Sequence, residues 1–200
     1  MKLDAPGLEN AAVALELFQI DHLEFLKESG AVDFMWRFMP DIPRGASAES
    51  YAAHILQQQD QGLLVAFSIK RQSDGEHVGV VNFENIDRTH RRLRIANIWL
   101  RKDVRGTGVF EATHALLISR ALEWGARRVS WIVPANAEAL QQALYRIGAI
   151  EEGRLRSYTR VADGSWSDMI LFSMIRDEAQ IHLDTLDRKA GGAPATIGEA

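Results

Sequence analysis

Ile98-Trp99-Leu100-Arg101-Lys102-Asp103-Val104-Arg105-Gly106-Thr107-Gly108-Val109-Phe110 runs from an apolar, strand-like segment through a glycine turn into the start of a helix. Two glycines let a backbone approach a ligand closely, and the free N–H groups of a first helical turn point outward with the positive end of the dipole behind them. Such a segment is an anion cradle that suits a pyrophosphate. Spacing excludes two alternatives: a phosphate loop needs Gly-x4-Gly-Lys-Ser/Thr, and a dinucleotide loop needs a third glycine where this chain has Glu111. A bare Gly-x-Gly also suits a tight turn that holds nothing, so the surrounding elements carry the rest of the reading.

Downstream of the loop, Val109, Leu116, Leu117, Leu122 and Trp124 fall at helical spacing until Gly125 stops the run. Residues 128–133 read as a short apolar strand, 137–147 as a second helix closed by Gly148, and 153–161 with 166–175 as a hairpin joined by Ala162-Asp163-Gly164-Ser165. Upstream, strand-like runs over 63–70, 77–84 and 93–100 read as an antiparallel meander, the first two separated by Ser73-Asp74-Gly75. Before them lie a first strand over 11–19 and a short helix over 21–29. An apolar loop over 34–45 holds Trp36, Phe38, Pro40 and Pro43, and a helix runs from the cap Ser47 to about residue 61. Apolar residues thin out from Asp177. Residues 1–176 therefore read as one domain and 177–200 as a mobile tail, with at most a helical turn near 181–186.

A chain of 200 residues, 46% hydrophobic and 25% charged, is long enough for one full core. Its 23 Lys and Arg against 27 Asp and Glu leave a net charge of -4, so no global field draws it to nucleic acid or an anionic membrane. Arg88, Arg91, Arg92, Arg94, Arg101, Lys102 and Arg105 read as exposed strand and loop charge in preference to an RNA-facing patch. Arg101, Lys102 and Arg105 are also placed to meet phosphates. Without cysteine there is no disulfide, no thiolate metal site and no acyl-cysteine intermediate. The histidines His22, His54, His77, His90, His114 and His182 show no ligand spacing, so no metal is expected, and His114 reads as a surface or packing residue. No long apolar run opens the chain, which points to a cytoplasmic protein with no membrane span.

On these residues the chain resembles the GNAT superfamily and, within it, the RimJ/RimL-like N-acetyltransferases. That family carries Arg/Gln-x-x-Gly-x-Gly/Ala after its fourth strand. Arg105-Gly106-Thr107-Gly108-Val109-Phe110 is similar, with Phe110 in a place usually small. The run Ile147-Gly148-Ala149-Ile150-Glu151-Glu152-Gly153-Arg154-Leu155-Arg156 resembles a RimL-like subgroup, as do Asp163-Gly164-Ser165-Trp166-Ser167-Asp168 and Ser173, so the likeness spans residues 11–176. The resemblance implies a single domain of the α/β (α+β) class: a mixed, largely antiparallel, splayed sheet flanked by helices. Acetyl-CoA as co-substrate would lie between the fourth and fifth strands. Backbone groups of Ile98, Trp99 and Leu100 would pair with the pantetheine arm, and the loop from Arg105 to Phe110 would hold the pyrophosphate. Asn136 would contact the cofactor, from an interval to Gly148 one residue longer than usual.

A thioester is already activated, so its chemistry needs an uncharged amine, alignment, a donor for the carbonyl oxygen and a proton for the leaving thiolate. A backbone N–H near Trp99 is the expected oxygen donor. The resemblance does not extend to the usual base, since the fourth strand offers Arg92, Arg94, Ile95 and Asn97, and the fifth Ser130 and Trp131. Asn97 is the candidate on the fourth strand. Glu84, at the end of the preceding strand, is a candidate acting through water or a simply solvated carboxylate. The family's acid positions hold Leu144, Ala139 and Leu140. Tyr145 lies one place away, turned by about 100°, and reads as a candidate acid or, more readily, a packing residue. Trp36, Arg37, Phe38 and Met39, with the Asp163 to Trp166 hairpin, are expected to shape the acceptor pocket. Three readings stay open. The chain is an N-acetyltransferase for a primary amine (a protein N-terminus, a small amine or an antibiotic), a catalytically degenerate acyl-CoA-binding module, or an interaction domain without CoA. A homodimer is also left open.

Overall fold

The computed structural model describes residues 4, 7–28, 47–161 and 163–189. Its strands are β1 (Leu8–Glu9), β2 (Val13–Leu17), β3 (Leu64–Arg71), β4 (His77–Asp87), β5 (Arg92–Leu100), β6 (Arg128–Pro134), β7 (Ile150–Arg160) and β8 (Trp166–Ile175). They form one sheet in the order β1-β2-β3-β4-β5-β6-β8-β7, antiparallel except where β5 meets β6. The helices are α1 (Leu23–Glu28), α2 (Ala48–Asp60), α3 (Val109–Glu123), α4 (Glu138–Arg146) and α5 (Arg176–Lys189).

The central strands are buried on both faces, and their sequences show it. Val78-Gly79-Val80-Val81-Asn82-Phe83 in β4 is a near-continuous apolar run of the kind a sheet covered on both sides requires. Gly79 is forced by close packing, since a Cβ there would meet the Trp99 carbonyl oxygen at 2.5 Å. On one face, α1 and α2 pack Leu26, Tyr51 and Ile55 against Ala66, Val80 and Trp99. On the other, α3, α4 and α5 pack Leu117, Leu144 and Ala179 in one core with Phe67, Phe83, Ile95, Trp131 and Phe172.

The feature that positions the site is the junction of β5 and β6. They pair in parallel only through Arg92, Leu93 and Arg94 with Arg128, Val129 and Ser130. Beyond that point β5 continues to Leu100 and β6 to Pro134 without pairing to each other. The sheet therefore splays, and the β5 edge from Ile95 to Leu100, about 20 Å of strand, has no strand partner on the β6 side. The expected mixed, largely antiparallel, splayed architecture is the one observed.

Three local readings need correction. β4 runs past Glu84 to Asp87, because Glu84 and Asp87 pair with Arg94 and Arg92 across a bulge. β7 begins at Ile150, three residues earlier than expected, against Ser173. The segment after residue 176, expected to be mobile, opens with α5. Its N-terminus is capped by Glu178, whose carboxylate accepts the Ile175 N–H at 2.9 Å. Arg176 donates to the carbonyls of Leu122 and Ala126 at the end of α3, and Ala179 is fully buried. Ala179 with Leu183 is too short an apolar stripe to stand out, since Ile181 between them is exposed.

Candidate functional site

The glycine loop closes the wide end of the gap. A 3-10 turn (Lys102–Val104) follows β5, and Arg105 Nε donates to the Leu100 carbonyl at 2.8 Å, pinning loop to strand. Gly106 and Gly108 hold φ of +77° and +92°, which side-chain-bearing residues rarely adopt, and a Cβ at either would meet nothing within 4 Å. The space over the loop is open. Gly108 is the N-cap of α3 and has no side chain to satisfy the first turn. Among the described residues, no acceptor takes the N–H groups of Gly106, Gly108, Val109, Phe110 or Glu111, whereas the Ala112 N–H already bonds to the Gly108 carbonyl. Free amides, an open approach and a helix start make a fit for an anion. The Val109 and Phe110 side chains are buried, so these two present only backbone to the loop.

Arg71, Arg101 and Arg105 are engaged within the protein. Arg101 pairs with Glu76 at 2.7 Å and Asp103 at 2.6 Å, while Arg71 pairs with Asp74, Glu76 and Asp103. Of the three cations expected at phosphates, Arg101 is thus neutralised and Arg105 is turned onto the strand. Asn136 is exposed in the turn just after β6, across the gap mouth from the loop.

Along the gap, β5 carries a bulge. Val80 faces Trp99 and Asn82 faces Ala96, so Asn97 and Ile98 together oppose Val81, and Asn97 sits at φ +52°. Register places Ala66, Asn82, Ala96 and Trp99 on the α1/α2 face, together with Leu64, Glu84 and Arg94. Glu84 is neither a strand end nor simply solvated. Its Oε1 lies 2.9 Å from Arg94 Nε, a contact of charge without aligned hydrogen-bond geometry, and its Oε2 accepts from Asn82 Nδ2 at 3.3 Å and Asn97 Nδ2 at 3.5 Å. The candidates Glu84 and Asn97 are therefore brought together beside the gap.

Tyr145 is not. Its hydroxyl donates to Glu151 at the start of the edge strand β7, and its ring packs edge-on against Phe172 of β8, two strands from the gap. The bond to Glu151 raises its pKa. The ring makes this packing contact while the side chain stays 45% exposed. His114 is a core residue: its Nδ1 donates to the Phe110 carbonyl at 2.8 Å, and burial lowers its pKa to about 4. The Trp36 to Met39 loop lies outside the described residues. Trp166, in the hairpin expected to shape the acceptor pocket, is 63% exposed.

One cluster escaped sequence reasoning. Glu16, His22 and His77 come from β2, the turn before α1 and β4, and their ligand-type atoms lie within 4.8 Å of one another. Spacing along the chain could not show this, because the β2-β3-β4 register assembles it. His22 Nδ1 accepts the Gln19 N–H at 3.0 Å, so its Nε2 carries the proton and faces Glu16, whose other oxygen holds Lys70 at 3.0 Å. That is a proton-bearing ion-pair network, with Glu16 held below the usual carboxylate range chiefly by Lys70.

The chain matches the family model described as acetyltransferase (GNAT) family over residues 31–149. A search of curated protein sequences finds no match. Among solved structures it is similar to Mycobacterium smegmatis RimJ in complex with CoA-disulfide, at 21% identity and TM-score 0.75, covering 96% of each chain. It is also similar to the ribosomal-protein-S5-alanine acetyltransferase from Vibrio fischeri, at 18% identity and TM-score 0.71 over 86% of this chain and 98% of that one. Spermidine N-acetyltransferase from Vibrio cholerae, in complex with CoA and spermine, matches at 13% identity and TM-score 0.71 over 86% and 99%.

Proposed function

Since the chain belongs to the GNAT acetyltransferase family, we propose that it is an N-acetyltransferase of the RimJ/RimL-like kind, taking acetyl from acetyl-CoA to a primary amine. The observation that carries this is the coincidence of the splay with the glycine loop: among the described residues, an unpaired β5 edge ends at a helix start whose amides have no partner. An extended arm can add to that edge as a strand would, with its diphosphate over Gly106 to Phe110. Acetyl-CoA supplies an activated thioester. The chain's own groups bind and align it, and Asn136, exposed in the turn after β6, would touch it.

The acceptor reaches the gap from the α1/α2 face. The α1/α2 core holds no buried residue of β6, β7 or β8 among the described residues, so that side of the gap is not roofed by those helices. Among the described residues, three sheet carboxylates of this face are paired: Glu16 with Lys70, Glu84 with Arg94, and Glu152 with Arg128, which holds Glu152 at a pKa of about 2. A polycation such as a polyamine would compete with Lys70, Arg94 and Arg128 for these three carboxylates. A single amine suits it better, and an α-amine with pKa of about 7.7 to 8.0 is already partly neutral. We therefore favour a protein N-terminus or a small monoamine over a polyamine.

The test is thiol release from acetyl-CoA with peptide α-amines, small monoamines and spermidine as acceptors. Turnover with α-amines and monoamines is the expected result. Tight acetyl-CoA binding without thiol release on any amine would favour the degenerate binding module, and absence of binding would remove the acyl-CoA reading.

A further inference from the structure

The side chains around Glu84 are arranged to hold a backbone, not to receive a proton. Asn97 occupies the left-handed region at φ +52°, which is unfavourable for a residue with a side chain; asparagine tolerates it best among these because its short amide finds a local partner. Here that partner is Glu84 Oε2, shared with Asn82, while Arg94 sits on Oε1. Both carboxylate oxygens are thus engaged by the sheet's own side chains. Buried Tyr51 of α2 lies within the electrostatic reach of Glu84. The bulge that Asn97 makes is what sets the facing of the residues after it. With Asn97 and Ile98 both opposite Val81, Trp99 turns into the α1/α2 core against Val80. One residue fewer would turn every later side chain to the other face and shift the edge that runs down to the glycine loop.

We propose that Glu84, Arg94 and Asn82 form a brace that fixes Asn97 in its bulged conformation, making Glu84 a positioning residue for the cofactor-binding edge of β5. The acceptor's proton then leaves to water, and no side chain at position 84 sets the pH profile. The proposal rests on the acyl-CoA reading for its functional consequence, but the brace itself has a readout without ligand.

Four variants test it: Glu84→Gln, Glu84→Ala, Asn97→Gly and the double variant Glu84→Ala/Asn97→Gly. Glycine holds a positive φ unaided, so it replaces the brace if the brace acts on the backbone. The expected results begin with Glu84→Ala weakening acetyl-CoA binding about tenfold by calorimetry and speeding amide hydrogen exchange over residues 97–100. Asn97→Gly alone should weaken binding less than Glu84→Ala does, and the double variant should recover most of the losses of Glu84→Ala. Glu84→Gln should keep the parent's pH profile of kcat/KM. Loss of kcat of a hundredfold or more in Glu84→Gln, with acetyl-CoA affinity unchanged and no rescue by glycine at 97, would overturn the proposal in favour of a base. A parent that binds no acetyl-CoA would defeat the functional reading alone. The exchange arm still decides the brace: unchanged exchange in Glu84→Ala removes it.

Discussion

At the scale of single residues, Gly108 is the sharpest point of the site. Its φ of +92° strains any side chain, while nothing within 4 Å obstructs a Cβ. Gly108→Ala and Gly108→Asp therefore share the backbone cost and differ in charge and reach. Gly108→Asp is expected to lower acetyl-CoA affinity at least about a hundredfold, and Gly108→Ala about tenfold, with circular dichroism confirming that both fold. Equal affinity in the two variants would deny an anion at the loop. His114 gives a second prediction, on stability. Burial holds its folded pKa at about 4, against an ordinary value of 6.5. Above pH 6.5 neither state carries the proton. As pH falls from 6.5 to 4 the unfolded chain binds it first, and the folded state loses about 3 kcal/mol. Denaturant unfolding at pH 7 and pH 4 should show His114→Gln losing less stability than the parent by about that amount; equal losses would place the proton elsewhere. Legibility divided along the same line. The loop was readable because glycine spacing and positive φ are local properties. Glu84 was read as a strand end because its partners, Arg94 and Asn97, are fixed by the β4–β5 register and its bulges. The offset of Tyr145 from the family's acid position is legible for the same reason, since helical phase is also local.

At the scale of elements, the sequence exposed what periodicity and turn chemistry control and hid what depends on docking. The meander, the helix after the loop and the hairpin followed from alternation, glycine stops and the Asp163-Gly164 turn. α5 stayed hidden because it is held by few apolar contacts and by hydrogen bonds that no period records. Arg176 Nη2 lies 2.6 Å from the Leu122 carbonyl, which also accepts the Gly125 N–H, and its Nε 3.2 Å from that of Ala126, so it adds a side-chain donor to carbonyls at and just past the end of α3. Removing it leaves them without that partner in a partly buried junction. Arg176→Ala is expected to destabilise the protein by about 1 to 3 kcal/mol, read as a lower denaturation midpoint with unchanged acetyl-CoA affinity. Gly148 marks the other contact of this helix. At φ +89°, a Cβ on it would lie 2.5 Å from the His182 ring, so Gly148→Ala should loosen α5 through both strain and collision. Faster hydrogen exchange over residues 176–183 is the expected sign, and exchange like the parent's would mean that the helix docks independently of this contact.

At the scale of the whole molecule, the sheet is two half-sheets joined by a short seam. β1 to β5 and β6 to β8 share only three parallel pairs, from Arg92 with Arg128 to Arg94 with Ser130. Covalent continuity across the seam runs through the glycine loop and α3, and the larger core, with Trp131 and Phe172 beside Phe83 and Ile95, packs beneath it. The open end of the seam is where backbone hydrogen bonds are missing, so a ligand that fills it adds bonds to both the edge and the loop. Binding to the folded state alone stabilises it by about 2.7 kcal/mol at a hundredfold excess over Kd. Acetyl-CoA should therefore raise the unfolding temperature. It should also slow amide exchange over residues 95–100 and 106–111 while leaving β2 and β3 nearly unchanged. The localisation matters more than the shift, because any bound ligand raises stability but only one lying along the splay protects both segments together. Protection confined to residues 106–111 would indicate an anion site without an arm in the gap. Protection in β2 and β3 in place of β5 would move the binding site to another part of the sheet.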